Sequence, residues 1–217
     1  MYAISHAASA LVLKRRYPEV AIWPLLISVQ AIEVGWVVLS LLGLEHSSVR
    51  EGKIHLDFLP YSHSVGTTLA LGLLALALLW RVPPKAKLAL AVALGVVSHV
   101  VLDIIQHDHD IALLPVGAGP RFGLGLGQAP SLNFAVELAF GVACWWIFRG
   151  GRVLLAGIIA FNVANLPTMF QPPMVVKLAS SGRAVLPLII ALQIVATWGF
   201  VAWASQRPVR PSPETAS

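Results

Sequence analysis

The sequence predicts an all-α fold, a polytopic transmembrane bundle of six long helices with one short helix before them. Two observations carry that expectation. The chain is 57% hydrophobic and only 12% charged, with a mean hydropathy of +0.78. A soluble domain carries about 25% charged residues, so this chain has too few polar groups to coat a water-facing surface. Its apolar residues also come in runs near the ~20 residues that cross a hydrocarbon core, separated by short joints rich in Pro, Gly and basic residues.

The first element is the short helix, over residues 2–13. At ~1.5 Å per residue it covers about 18 Å, a half-span. Lys14-Arg15-Arg16 follows it. That order, apolar before basic, is the reverse of a secretory signal. The long runs then fall at 20–44, 62–80, 87–106, 131–148, 153–171 and 184–204. Pro18, Pro60, Pro83-Pro84, the glycine-rich stretch 117–127 and Pro172-Pro173 punctuate the joints. Residues 1–205 therefore form one membrane domain, and 206–217, rich in Pro, Ser and charge, are expected to be a disordered tail. The single cysteine, Cys144, lies in an apolar run and reads as a small packing residue.

A net charge of +5 and a pI near 9.8 do not signal nucleic acid, because the basic residues lie in the joints and form no stripe interleaved with aromatics. They read as topology signals. Ten fall in 14–16, 81–87, 149–152 and 207–210, against five in the opposite loops. The positive-inside rule thus places the N-terminus and the loops 45–61, 107–130 and 172–183 on the non-cytoplasmic side.

Ionisable residues inside these runs are costly, roughly 2.5–3.5 kcal/mol each on insertion scales, and so mark candidate sites. Glu33 lies in the first long run, His63 opens the second, His99 and Asp103 lie in the third and Glu137 in the fourth. His6 belongs to the short helix, and His107, Asp108, His109 and Asp110 follow the third run. Measured from the basic end of each helix at ~1.5 Å per residue, His99 and Glu137 stand about 18 Å up, Asp103 about 24 Å, Glu33 about 25 Å and His63 about 27 Å. Four helices of alternating direction thus bring these groups to the outer half of the bilayer. His6, about 12 Å from Lys14, is the shallowest.

Spacing within helices points the same way. His99 and Asp103 are i and i+4, and His107 extends that face at i+8. Asn133 and Glu137 are likewise i and i+4. Imidazoles and carboxylates from facing helices are how bundles build internal metal sites, and zinc favours such a set. Each residue also has a plainer reading, as an interhelical hydrogen-bonding group. His-Asp-His-Asp at 107–110 reads equally as a solvated loop, and His46 and His55 as loop residues. Asn162 and Asn165 read as interhelical hydrogen-bonding groups.

These residues resemble the bacterial membrane-bound metal-dependent hydrolases of the YdjM-like type, apparent distant relatives of the zinc-dependent phospholipases C. Ser5-His6 is similar to the family's early histidine. Tyr61-Ser62-His63-Ser64 is similar to its Thr-His-Ser motif, and Ser98-His99-Val100-Val101-Leu102-Asp103 with Pro115 to its Ser-His-x-x-x-Asp segment and later proline. The likeness covers roughly the first 115 residues. Gln30-Ala31-Ile32-Glu33 stands where the family has Pro-Asp-x-Asp-His, and the Arg-Gly before Thr-His-Ser is absent.

The resemblance implies His6, His63, His99 and Asp103 as metal ligands; His107, on the same helix face as His99 and Asp103, reads as a further one. For a hydrolase, Glu33 reads as a ligand or the base that deprotonates water, and Glu137, which lies beyond the likeness, as a ligand or the carboxylate that orients a histidine. Zinc or another divalent metal, a bacterial inner membrane and a phosphoester or lipid-linked substrate at the outer leaflet follow from the resemblance too. Two other classes fit the residues alone: a transporter or ion- or proton-translocating protein, and a non-catalytic membrane scaffold. Against conduction, the polar groups cluster in one leaflet while the cytoplasmic halves are nearly pure Leu, Ala, Val and Ile.

Overall fold

A computed structural model describes residues 1–81, 86–117 and 119–206, with the side chains of 56–58 set aside. The expected tail, Pro83-Pro84 and several of the basic joint residues lie outside the described residues. The short first helix, α1 (Ala3–Arg16), is the axis of the bundle. Residues Ala3 through Leu11 are buried on every face, and helices from both ends of the chain pack around them. Its small Ala and Ser side chains let the neighbouring helices close in on every side. The sequence reading of α1 as a half-span did not foresee that central place.

The run expected at 20–44 is broken. α2 (Ile22–Val29) and α3 (Ala31–Leu41) meet at Gln30 with a bend of 53°. Gln30 leaves helical geometry (φ −121°, ψ 10°), and its side-chain amide donates to the Ala3 carbonyl at 2.6 Å. That bond ties the break to the start of α1.

Residues 45–61, expected as a loop, fold into an antiparallel hairpin of β1 (His46–Arg50) and β2 (Lys53–Phe58). Its turn has Glu51 at φ 50° and Gly52 at φ 72°, the two positive angles of a tight turn whose twist matches the strands. α4 (Val65–Trp80) follows, capped by Ser64, whose hydroxyl accepts the Thr67 N–H at 3.1 Å. α5 (Ala86–Gln106) packs back along α4.

The glycine-rich joint is a second small hairpin, β3 (Ile111–Ala112) with β4 (Arg121–Phe122). It closes both neighbouring helix ends. Leu124 and Gly125 N–H groups donate to the Ile104 and His107 carbonyls, and the Gly66 N–H donates to the Leu113 carbonyl. A Cβ at Gly123 would collide with the Asp108 backbone, so only glycine fits this return.

α6 (Pro130–Phe148), α7 (Arg152–Ala164), α8 (Leu166–Phe170), α9 (Pro173–Ala179) and α10 (Val185–Ser205) complete the chain. Among the described residues, four helical segments are long and apolar enough to cross a membrane, or five if the bent α2–α3 pair counts as one. They are Ala86–Gln106, Pro130–Phe148, Arg152–Phe170 and Val185–Ser205. α4, at 16 residues, is shorter than the 62–80 run expected from sequence, because the Ser64 cap starts the helix only at Val65. Leu73, Leu78, Leu192 and Val195 stand outward on α4 and α10, an apolar exterior suited to lipid. The fold is all-α in its mass, and its long apolar helices mark a membrane protein.

Candidate metal centre

Glu33, His63, His99 and Asp103 converge. One donor atom from each lies within 4.8 Å of the others. They come from α3, the residue before the Ser64 cap of α4, and α5, so the break at Gln30 and the α4–α5 hairpin build the site. The break does two things. It sets Glu33 in the first turn of α3, where the helix dipole favours a carboxylate. It also ends α2 at Val29, whose carbonyl accepts from His99 Nδ1 at 2.8 Å.

α2 reaches α5 closely enough for that bond because residue 95 is glycine. A Cβ there would overlap the Ser28 hydroxyl.

The donor atoms crowd together, with His63 Nε2 in hydrogen-bond geometry to Glu33 Oε2 at 3.3 Å. His99 Nε2 lies 2.9 Å from Asp103 Oδ2, yet neither atom has an aligned hydrogen-bond partner. With Nδ1 of His99 committed to a carbonyl, a neutral ring carries its lone pair on Nε2, facing another lone pair. Buried groups left in that relation are costly unless a cation lies between them. His63 Nε2 is 3.3 Å from Glu33 Oε2 and 3.6 Å from Asp103 Oδ2. His99 Nε2 is 3.6 Å from Glu33 Oε2. Three of the four residues are buried, while Glu33 is 19% exposed, toward a cavity. The residues fit a divalent metal ion.

Other expected residues lie around this group. His6 stacks on His99, ring centroids 3.9 Å apart, and its Nε2 is 3.2 Å from Asp103 Oδ1. The Met1 amine meets the same oxygen at 2.6 Å. His107 lies with its ring 5.6 Å from that of His63, and its Nδ1 is 3.1 Å from Asp110 Oδ1. Burial opposes protonation of His107, but the bond to Asp110 and the charges of Asp103 and Asp110 outweigh it and hold its pKa above the ordinary value.

Glu137 stands apart from the four. Its Oε1 accepts the Tyr2 N–H at 3.1 Å and its Oε2 accepts the Ser5 hydroxyl, so this buried carboxylate closes the N-terminal end of α1. Asn162 donates to the Ile158 carbonyl of its own helix, at 2.9 Å, rather than across the bundle.

Sequence reasoning missed Glu45. It is 1% exposed, and its Oε1 accepts the Tyr61 and Ser62 N–H groups at 2.8 and 2.9 Å. Its Oε2 accepts the Ser62 hydroxyl at 2.6 Å, and Ser62 Oγ lies 2.7 Å from His63 Nδ1. The only sequence signal was an acidic residue in an expected loop ahead of His63.

A cavity of about 340 Å³ opens on the cluster. Glu33, His63, Asp103 and His107 form one wall, while Val175, Leu178, Ile189 and Ile190 of α9 and α10 form an apolar one. Comparison of the chain with protein-family models, with curated proteins and with solved structures finds no match, so its chemistry is read from its own residues.

Proposed function

We propose that the chain is a membrane-embedded, metal-dependent hydrolase whose substrate is a phosphoester or other lipid-linked molecule. The observation that supports it most is the buried group Glu33, His63, His99 and Asp103, with donor atoms facing one another at the end of a cavity. The resemblance of His6, His63, His99 and Asp103 to the YdjM-like hydrolases supports the same reading, and so do the cavity's two unlike walls. A polar headgroup suits the metal wall and an acyl or isoprenoid chain the apolar one. The excess of basic residues in the opposite joints supports an orientation with the site toward the non-cytoplasmic side.

His63, His99, Asp103 and Glu33 would hold the ion, and zinc suits a set with two imidazoles. When bound, such an ion supplies a Lewis acid that polarises a phosphoryl or acyl oxygen and lowers the pKa of water. The protein's own groups do the rest. Val29 fixes the His99 ring through Nδ1, leaving Nε2 free to bind. Glu33, the most exposed of the four toward the cavity, is placed to take the proton of an attacking water. Gln106, on the same cavity, offers its amide donors to a headgroup, and α9 and α10 exclude water from the chain behind it.

Metal analysis of protein purified in detergent, paired with hydrolysis of a short-chain phospholipid reporter in nanodiscs, tests the reading. It requires stoichiometric metal, and turnover that a chelator removes and zinc restores. A folded protein that binds no metal would overturn it. Ion or proton flux in proteoliposomes, lost in Glu33→Gln, would instead establish a transporter.

A further inference from the structure

Resting on that metal-site reading, we infer that Glu45, acting through Ser62, fixes the tautomer of His63 and so turns its Nε2 lone pair toward the ion. Glu45 is thus a positioning residue that touches neither metal nor substrate. Glu45 Oε1 already accepts two backbone N–H groups, and Oε2 takes the hydroxyl proton of Ser62. A serine has one such proton. Having given it to Glu45, Ser62 Oγ can meet His63 Nδ1, 2.7 Å away, only as an acceptor. Nδ1 therefore carries the hydrogen and Nε2 the lone pair. In the neutral ring that lone pair faces carboxylate oxygens, Glu33 Oε2 at 3.3 Å, within hydrogen-bond geometry, and Asp103 Oδ2 at 3.6 Å, and an ion between them would take it up.

The device uses the hairpin that follows α3. Glu45 sits between α3 and β1, and the chain returns through β2 to lay the Tyr61 and Ser62 amides on its carboxylate. His99 achieves the same end differently, through the Val29 carbonyl. The two histidines of the cluster are thus set by independent means, and one can be disturbed while the other reports on folding.

Glu45→Gln is nearly isosteric and reverses the direction of donation. The glutamine oxygen must take the place that accepts the two backbone N–H groups, which leaves its NH₂ facing Ser62 Oγ. Ser62 then has no acceptor there, its proton turns to His63 Nδ1, and the hydrogen of His63 moves to Nε2. The test is nitrogen NMR of histidine-labelled, metal-free full-length protein in nanodiscs, with His63 assigned through His63→Asn. Wild type should show pyrrole-type Nδ1 and pyridine-type Nε2 at His63, and Glu45→Gln the reverse, with His99 unchanged in both.

Zinc affinity of Glu45→Gln should fall by about 10–100-fold, the usual effect of losing the partner that orients a ligand. If Glu45→Gln also disturbs His99, Ser62→Ala decides the matter: His63 should then lose its single tautomer while His99 keeps its own. An Nε2–H tautomer in wild type, or a His63 spectrum unmoved by either variant, overturns the inference. Absence of zinc binding by wild type with these spectra as expected would overturn the hydrolase reading and leave the tautomer relay standing.

Discussion

His6 and His99 lie face to face, their ring centroids 3.9 Å apart and their planes inclined by 10°. Two imidazolium ions would repel at that distance, so the stack admits at most one proton beyond neutrality. It joins α1 to α5 beside Asp103, and it separates two kinds of histidine. His99 belongs to the four-residue group, while His6 forms the wall behind it.

The first prediction follows from that division. His99→Ala and Asp103→Ala each remove a donor from the group, and zinc affinity should drop by more than about 100-fold, beyond the 10–100-fold of an indirect partner. His6→Phe keeps an aromatic face against His99 and should retain stoichiometric zinc. Metal analysis on the three purified variants distinguishes them; equal loss in all three would make His6 a ligand.

Gly95→Ala tests the contact that lets α2 serve α5. The added methyl meets the Ser28 hydroxyl and must push α2 outward. Overpacking of this kind costs about 1–3 kcal/mol. The Val29 carbonyl moves with the helix, so zinc affinity should fall together with thermal stability. A Gly95→Ala protein with unaltered metal binding would show that the His99–Val29 bond does not depend on this approach.

For Glu137 the expected result is destabilisation without metal loss. Glu137→Gln turns one carboxylate oxygen into a donor that faces either the Tyr2 N–H or the Ser5 hydroxyl. An unsatisfied buried group of this type costs about 1–3 kcal/mol. The melting temperature should fall while zinc stoichiometry stays as in wild type. Loss of zinc instead would place Glu137 among the ligands.

His107 and Asp110 give a pH dependence with a definite sign. The folded pKa of His107 is raised above its unfolded value of about 6.5, so the pair's contribution is fully present below that value. It is lost as pH rises through the higher folded pKa. In chelator-treated protein, the stability difference between wild type and Asp110→Asn should be largest in mild acid and shrink in alkali. Thermal unfolding across that range measures it, and a difference that grows with pH would contradict the pairing.

Much of this centre was legible in the sequence because its residues obey local rules. His99 and Asp103 are one helical turn apart, and a carboxylate or imidazole within an apolar run declares itself by its cost. Glu33 and His63 were found in the same way. What was not legible depends on contacts between distant segments. Glu45 acts only after the β1–β2 hairpin returns the chain to it, and no periodicity announces that. The break at Gln30 lies in a run whose composition reads as one continuous helix, and it is tied by a hydrogen bond to Ala3, a residue distant in sequence. Glu137 was visible as a buried acid, but its partners, Tyr2 and Ser5, belong to a helix whose central position comes from packing on all sides.

That central position constrains how the protein is made. α1 leaves the ribosome before the other described helices, yet its packing partners include α6, α7 and α10, which are synthesised much later. At 14 residues it is too short to hold a span alone, so during synthesis it must wait at the interface or in the care of the insertion machinery. Its stacking partner on α5 arrives partway through, and enclosure is finished only when the last helix docks. Closure therefore joins segments far apart in sequence, the slowest kind of contact to form, and assembly of the donor cluster beside α1 is coupled to the arrival of α10.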